Sequence, residues 1–219
     1  MGSIERTLWQ LSPYLTLLLT GGILLGVDAL RSRWDASRWT PYVALLGLAG
    51  GLAATVTLWG SNEELLGVLV CDDFALAVNA ITLAAMMLVT LISSERVRAQ
   101  DDHHSGTFYA LLLLAALAVC LLGAVTDLVV FLLASELFGV ASFAMMGYRY
   151  SDRRGAEATV KYMVLGVATS AMVLYGLSWF YGLAGSTDLR AISDGLSEAD
   201  GSLHLVLLSP LVLMAVGFV

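Results

Sequence analysis

The sequence predicts an all-α polytopic membrane protein with about six full transmembrane helices and the start of a seventh. Three observations carry that reading. Of the 219 residues, 58% are hydrophobic and only 13% charged, and the mean hydropathy is +0.83, outside the range of soluble domains. The apolar residues gather in runs of about 20, the length a helix needs to cross a hydrocarbon core about 30 Å thick. Once the runs alternate in direction, the cations fall almost entirely on one side.

The first run, residues 14–30, resembles a secretion signal by position alone. Its arginines (Arg31, Arg33, Arg38) follow the apolar stretch instead of preceding it, and no small-residue cleavage pattern comes before them, so an uncleaved span is expected. Further spans are expected at 41–60, 74–93, 107–125, 128–148 and 158–183, and a seventh at 203–219. Lipid cannot satisfy free backbone groups, and the short alternating segments of a barrel are absent, so the spans are helices. The longest connection, about 184–202, is rich in Gly, Ser and Asp and too short for a soluble domain. A single transmembrane domain over 1–219 follows. Small residues inside the spans (Gly21 and Gly22, Gly47 and Gly51, Gly166 with Ser170) fit close helix packing.

One side of the membrane holds Arg31, Arg33, Arg38, Arg96, Arg98, Arg149, Arg153 and Arg154; the other holds only Arg6 and Arg190. The arginine-rich side is expected to be cytoplasmic, with the amino terminus outside, in the periplasm if the membrane is a bacterial inner membrane. The net charge of -7 is uninformative about partners, because ten of the eighteen acids lie in three inter-span loops; nucleic acid is not an expected partner. Cys71 and Cys120 lack paired spacing and nearby ligands, and His103 and His104 lie in a loop without further ligands, so neither a disulfide framework nor a metal site is expected. Asp28 and Asp127 lie at span ends and are expected to act at the interface. Tyr148, Tyr162, Tyr175, Trp179 and Tyr181 are expected to be interfacial aromatics.

Glu136 is the one charged residue between Leu128 and Tyr148. It lies about 12 Å along its helix, near the middle of the hydrocarbon, where it cannot easily reach water. An ionised side chain there costs about 3 kcal/mol, and neutralising a glutamate at pH 7 costs about 3.7 kcal/mol. The two forms are near balance, so a neighbouring charge decides between them. A cation about 4 Å away contributes about 4 kcal/mol at an effective dielectric near 20. Moving it would switch the proton, which is what a proton-coupled transporter requires. The competing structural role is that of a hydrogen-bonded link between helices.

Lys161, the only lysine, lies three residues inside the sixth span. Its head can snorkel to the interface, yet lysine is also the cation whose proton affinity shifts readily on burial. The short connection from Arg149 to Gly155 makes spans five and six antiparallel neighbours, and Glu136 sits about 18 Å from the cytoplasmic end of its helix. A polar side chain or water is therefore needed to link the two groups.

The stretches FYALLLLAALAVCLLGAVTDLVVFLLASELFGVASFAMMGYRY and EATVKYMVLGVATSAMVLYGLSWFYGLAGSTDLRAI, with LGVLVCDDFALAVNAI and LLGVDAL before them, resemble the antiporter-like subunit N of NADH:quinone oxidoreductase, respiratory complex I. The resemblance covers most of the chain. It implies that Glu136 is the switchable glutamate of span five, that Lys161 is the lysine at the start of span six, and that the sequence corresponds to the amino-terminal portion, with a span-seven lysine expected beyond Val219. It also implies proton translocation coupled to quinone reduction elsewhere. No cofactor motif appears in the sequence, so NADH, FMN, iron–sulfur clusters and quinone are expected in partner subunits, alongside other membrane subunits and the lipid bilayer. A subunit of a sodium/proton antiporter or of a membrane-bound hydrogenase is the nearest alternative. A structural scaffold subunit is an alternative of another class.

Overall fold

Each apolar run forms a helix whose ends are set by local chemistry. The computed structural model describes residues 3–30, 39–99, 105–148 and 153–197, with 211, 212, 214, 215 and 217. The elements are α1 (Ser3–Gln10), α2 (Ser12–Ala29), α3 (Thr40–Thr57), β1 (Glu63–Leu65), β2 (Leu69–Cys71), α4 (Asp73–Ala99), α5 (Ser105–Ala124), α6 (Leu128–Gly147), α7 (Arg153–Ala184) and α8 (Leu189–Ser197). The six from α2 to α7 are long and apolar enough to cross a membrane. Prolines in the first turn start α2 and α3, where a missing N–H costs nothing. Gly185, with φ at 67°, ends α7 as its amide donates to the Tyr181 carbonyl at 2.8 Å.

Hydrogen bonds at the two ends of the bundle fix its alternating topology. At one end, the Thr126 amide donates to Val68 O, the Leu128 amide to Thr187 O and the Leu189 amide to Thr126 O, which ties the hairpin, the α5–α6 link and the α7–α8 link together. At the opposite end, Asp28 accepts from the Thr107 amide (3.0 Å) and hydroxyl (2.6 Å), while Thr40 donates to Ser105 at 3.1 Å. The carboxylate thus meets the N-terminal turn of α5, where the helix dipole favours an anion.

Helix α5 is the hub: in its most apolar 18-residue stretch 56% of the residues are buried, against 17% in the corresponding stretches of α6 and of α7. Its Tyr109 and Leu113 pack with Leu17, Leu24, Leu48 and Leu83 of the neighbouring helices. Lipid tails are as apolar as these side chains, so close van der Waals fit holds the helices together. Gly47 shows this most clearly, since a Cβ there would lie 2.5 Å from the Thr20 methyl and hydroxyl. Gly51 meets Thr16 in the same groove, whereas a Cβ on Gly22 would meet nothing within 4 Å among the described residues.

Three elements were not expected from the apolar runs: α1, α8 and the β1–β2 hairpin. The hairpin pairs Glu63 with Cys71 and Leu65 with Leu69, and its turn holds Leu66 and Gly67 at φ of 55° and 69°. Both central residues are left-handed, the geometry of a tight hairpin turn. Leu65, Leu69 and Cys71 pack with Leu58, Leu76 and Ala124 and cover that end of the bundle. Two spans also run past their expected limits of 74–93 and 158–183, because α4 continues to Ala99 and α7 starts at Arg153. An apolar ruler sees only the part of a helix inside lipid, and nothing in either segment breaks the helix at the interface.

Arg31, Arg33, Arg38, Arg149, His103 and His104 lie outside the described residues, as does most of the expected seventh span. The described part of that span is helical; Met214 packs with Leu128, Val173, Leu177 and Ile192, and Gly217 lies against Val173.

Candidate functional site

Helix α6 starts where the Asp127 carboxylate accepts from the Val129 amide at 2.8 Å and the Val130 amide at 3.2 Å, an N-cap that fixes its first turn. The other carboxylate oxygen accepts from the Thr187 hydroxyl at 2.6 Å and so fastens the start of α6 to the end of α7. Burial acts to raise the Asp127 carboxyl, but the Thr187 hydroxyl and the Val130 and Val129 amides outweigh it and hold it below the usual aspartate value. The interfacial role expected for Asp127 is thus that of a cap and a cross-link.

Two turns further along α6, Glu136 is half-buried and lines a cavity of about 540 Å³ between α6 and α7. The α6 side of the cavity presents Ser135, Glu136, Gly139 and Phe143; the α7 side presents Tyr162, Gly166, Thr169 and Ser170. These spacings of three and four residues give each helix one continuous face. Phe143 meets Tyr162 edge-on with ring centroids 5.1 Å apart, and a Cβ on Gly166 would overlap the Phe143 ring. Glycine at 166 therefore makes room for that ring.

The Phe143–Tyr162 contact sets the register of the two antiparallel helices. Glu136 lies seven residues from Phe143, about 10 Å along the axis, which brings it level with Thr169 and Ser170. The Ser135 and Thr169 hydroxyls each donate to a carbonyl of their own helix at 2.8 Å, which leaves their oxygen lone pairs to accept. A carboxyl among hydroxyls in a chamber large enough for several waters can exchange a proton through hydrogen-bonded chains.

Lys161 is elsewhere. One residue before Tyr162 is about 100° around the helix, which turns Lys161 off the cavity face and onto an exposed one. There it donates to Glu157 at 2.5 Å, one turn away, with the side chains 72% and 64% exposed. The structure therefore places Glu136 in the cavity and Lys161 outside it, beyond the Phe143–Tyr162 contact. Tyr162, expected as an interfacial aromatic, lines the cavity and is 42% exposed. Ser135 and Thr169 were not singled out in the sequence, and Ser170 was named only as a small packing residue beside Gly166, although pairing the helices about the short α6–α7 connection would have set all three beside Glu136. Among the described residues, no three His, Cys, Asp or Glu side chains converge.

Comparisons with known proteins agree with this architecture. Residues 124–219 match the family described as "NADH:quinone oxidoreductase/Mrp antiporter, TM". The chain is 34% identical over 209 residues to the NAD(P)H-quinone oxidoreductase subunit 2 of Thermosynechococcus vestitus, covering 94% of this chain and 40% of that protein. It is 36% identical over 207 residues to the subunit 2 of Acaryochloris marina, covering 93% and 38%. The chain thus spans about two fifths of the length of these curated relatives. Among solved structures, respiratory complex I from Thermus thermophilus matches with a TM-score of 0.72 at 24% identity over 92% of this chain and 42% of that one. The membrane-bound sulfane sulfur reductase, an archaeal respiratory membrane complex, matches with a TM-score of 0.77 at 17% identity over 96% and 44%. The fold is that of an antiporter-like membrane subunit.

Proposed function

From the match of residues 124–219 to the quinone oxidoreductase and antiporter family, we propose that this chain belongs to a subunit-N-type proton-translocating membrane subunit of an NADH:quinone oxidoreductase. The observation that carries the reading is the half-buried Glu136 in a largely apolar cavity between two membrane-spanning helices, with the Ser135, Thr169 and Ser170 hydroxyls on its wall. Relatives 34–37% identical and named as quinone oxidoreductase subunits support the choice of complex.

Glu136 is the switchable acid. A cation brought within about 4 Å of its carboxylate favours the ionised form by about 4 kcal/mol, and withdrawing that cation returns the proton. Ser135, Thr169 and Ser170 order the waters that carry it. Lys161 serves as a relay at the cytoplasmic end of α7, reached past Phe143 and Tyr162. Partner membrane subunits deliver the charge movement, and NADH, FMN, iron–sulfur clusters and quinone belong to other subunits of the complex. The membrane is a bacterial inner membrane, with α1 and the hairpin on the periplasmic side.

The test is Glu136→Gln in the assembled complex. Proton pumping by inverted membrane vesicles should fall to background while the complex assembles in normal amount. Wild-type pumping with normal assembly would show that Glu136 carries no proton. A second reading, an antiporter-like subunit of a different respiratory complex, rests on the antiporter half of the family description and on the sulfane sulfur reductase likeness in fold. Genes for NADH-binding and quinone-site subunits beside this one decide for the first reading.

A further inference from the structure

A second pocket, of about 310 Å³, opens beside α1 at the hairpin end of the bundle, lined among others by Arg6, Trp9, Gln10, Trp59, Ser61 and Glu63. Helix α1 has eight residues and is about 12 Å long, too short to cross a membrane. Its Leu8 and Trp9 are exposed, next to the exposed Trp59 at the end of α3. A short amphipathic helix of this kind lies in the plane of the interface, and exposed indoles mark the headgroup level.

The charges in this pocket are arranged for a ligand. Arg6 and Arg190 are the two cations on this side of the bundle, and Arg190 is paired with Glu64. Arg6, among the described residues, forms no ion pair, even though Glu63 lines the same pocket. Glu63 is held in place by the side-chain amide of the nearly buried Gln10, which donates to one of its oxygens. An unpaired cation and a positioned anion thus face one hollow without neutralising each other.

We propose that this pocket seats the headgroup of a zwitterionic aminophospholipid of the phosphatidylethanolamine type. Arg6 binds the phosphate, Glu63 accepts hydrogen bonds from the ammonium group, and the Trp9 and Trp59 indoles flank the glycerol. An anionic headgroup meets repulsion from Glu63, and a choline headgroup has no N–H to donate, so both bind less well.

The experiment uses the full chain in nanodiscs of equal parts phosphatidylethanolamine, phosphatidylcholine and phosphatidylglycerol, with retained lipid read by native mass spectrometry. Phosphatidylethanolamine should be enriched. Arg6→Gln should lower its retention about tenfold, the loss expected for one charge-assisted hydrogen bond, and Glu63→Gln should erase the preference over phosphatidylglycerol. Equal retention of the three lipids, a preference for phosphatidylglycerol in the wild type, or unchanged retention in both variants would overturn the proposal. A second measurement needs neither charge variant: with Trp34, Trp39 and Trp179 replaced by Phe, headgroup spin-labelled phosphatidylethanolamine should quench the remaining indoles more strongly than labelled phosphatidylglycerol. Equal quenching also overturns it.

Discussion

Replacing Asp127 by alanine should loosen the start of the helix that carries Glu136. The carboxylate caps two amides of α6 and accepts from the Thr187 hydroxyl. Losing the cap costs about 1 kcal/mol. Losing a hydrogen bond to a charged acceptor costs about 1.5 kcal/mol at a partly exposed site, the low end of the range for such bonds. Asp127→Ala should therefore cost about 2.5 kcal/mol. Asp127→Asn keeps one oxygen for the cap but has none left for Thr187, and should cost about 1.5 kcal/mol. Both are measured by detergent-driven unfolding in mixed micelles, followed by far-ultraviolet circular dichroism. The carboxyl titrates below the usual aspartate value in the folded chain. Its stabilisation is accordingly complete above that usual value and is lost as pH falls through the lower folded one. The alanine and wild-type curves should converge in that acid window. An Asp127→Ala cost below about 0.5 kcal/mol near neutral pH, or a difference between the two proteins that does not shrink in acid, would refute the cap and cross-link.

Gly47→Val should separate α2 from α3 and cost about 1–3 kcal/mol in the same unfolding assay, since the new Cβ collides with the Thr20 side chain near its root. Gly166→Ala should cost less, about 1 kcal/mol, because the far end of the Phe143 ring can swing aside; a thiol-reagent accessibility scan of cysteines placed at Thr169 should then report a narrower cavity. Lys161→Ala removes an exposed i,i+4 ion pair with Glu157 and should change stability by less than about 0.5 kcal/mol, while proton pumping falls if the amine relays protons. Pumping at the wild-type rate would remove Lys161 from the pathway.

The membrane-spanning helices were legible because lipid imposes one length and one backbone solution, so 41–60 became Thr40–Thr57 and 128–148 became Leu128–Gly147 with little shift. The interfacial elements follow other rules. Helix α1 is too short for an apolar window. The hairpin rests on three-residue strands and a left-handed Leu66 that no residue preference signals, and α8 gives no hydropathy signal. Glu136 was legible because a carboxylate at that depth needs a reason. Its surroundings were not, because a side chain's direction depends on the rotation of each helix about its axis. That rotation is settled by contacts such as Phe143 against Gly166, and it sends Tyr162 into the cavity and the adjacent Lys161 out of it.

The most direct test of proton carriage by Glu136 is infrared difference spectroscopy of the assembled complex during turnover. If the cavity carboxyl gains and loses its proton, a protonated-carboxyl stretch should appear and vanish with turnover and be missing in Glu136→Gln. A difference spectrum in which the wild type and Glu136→Gln coincide in that region would contradict it.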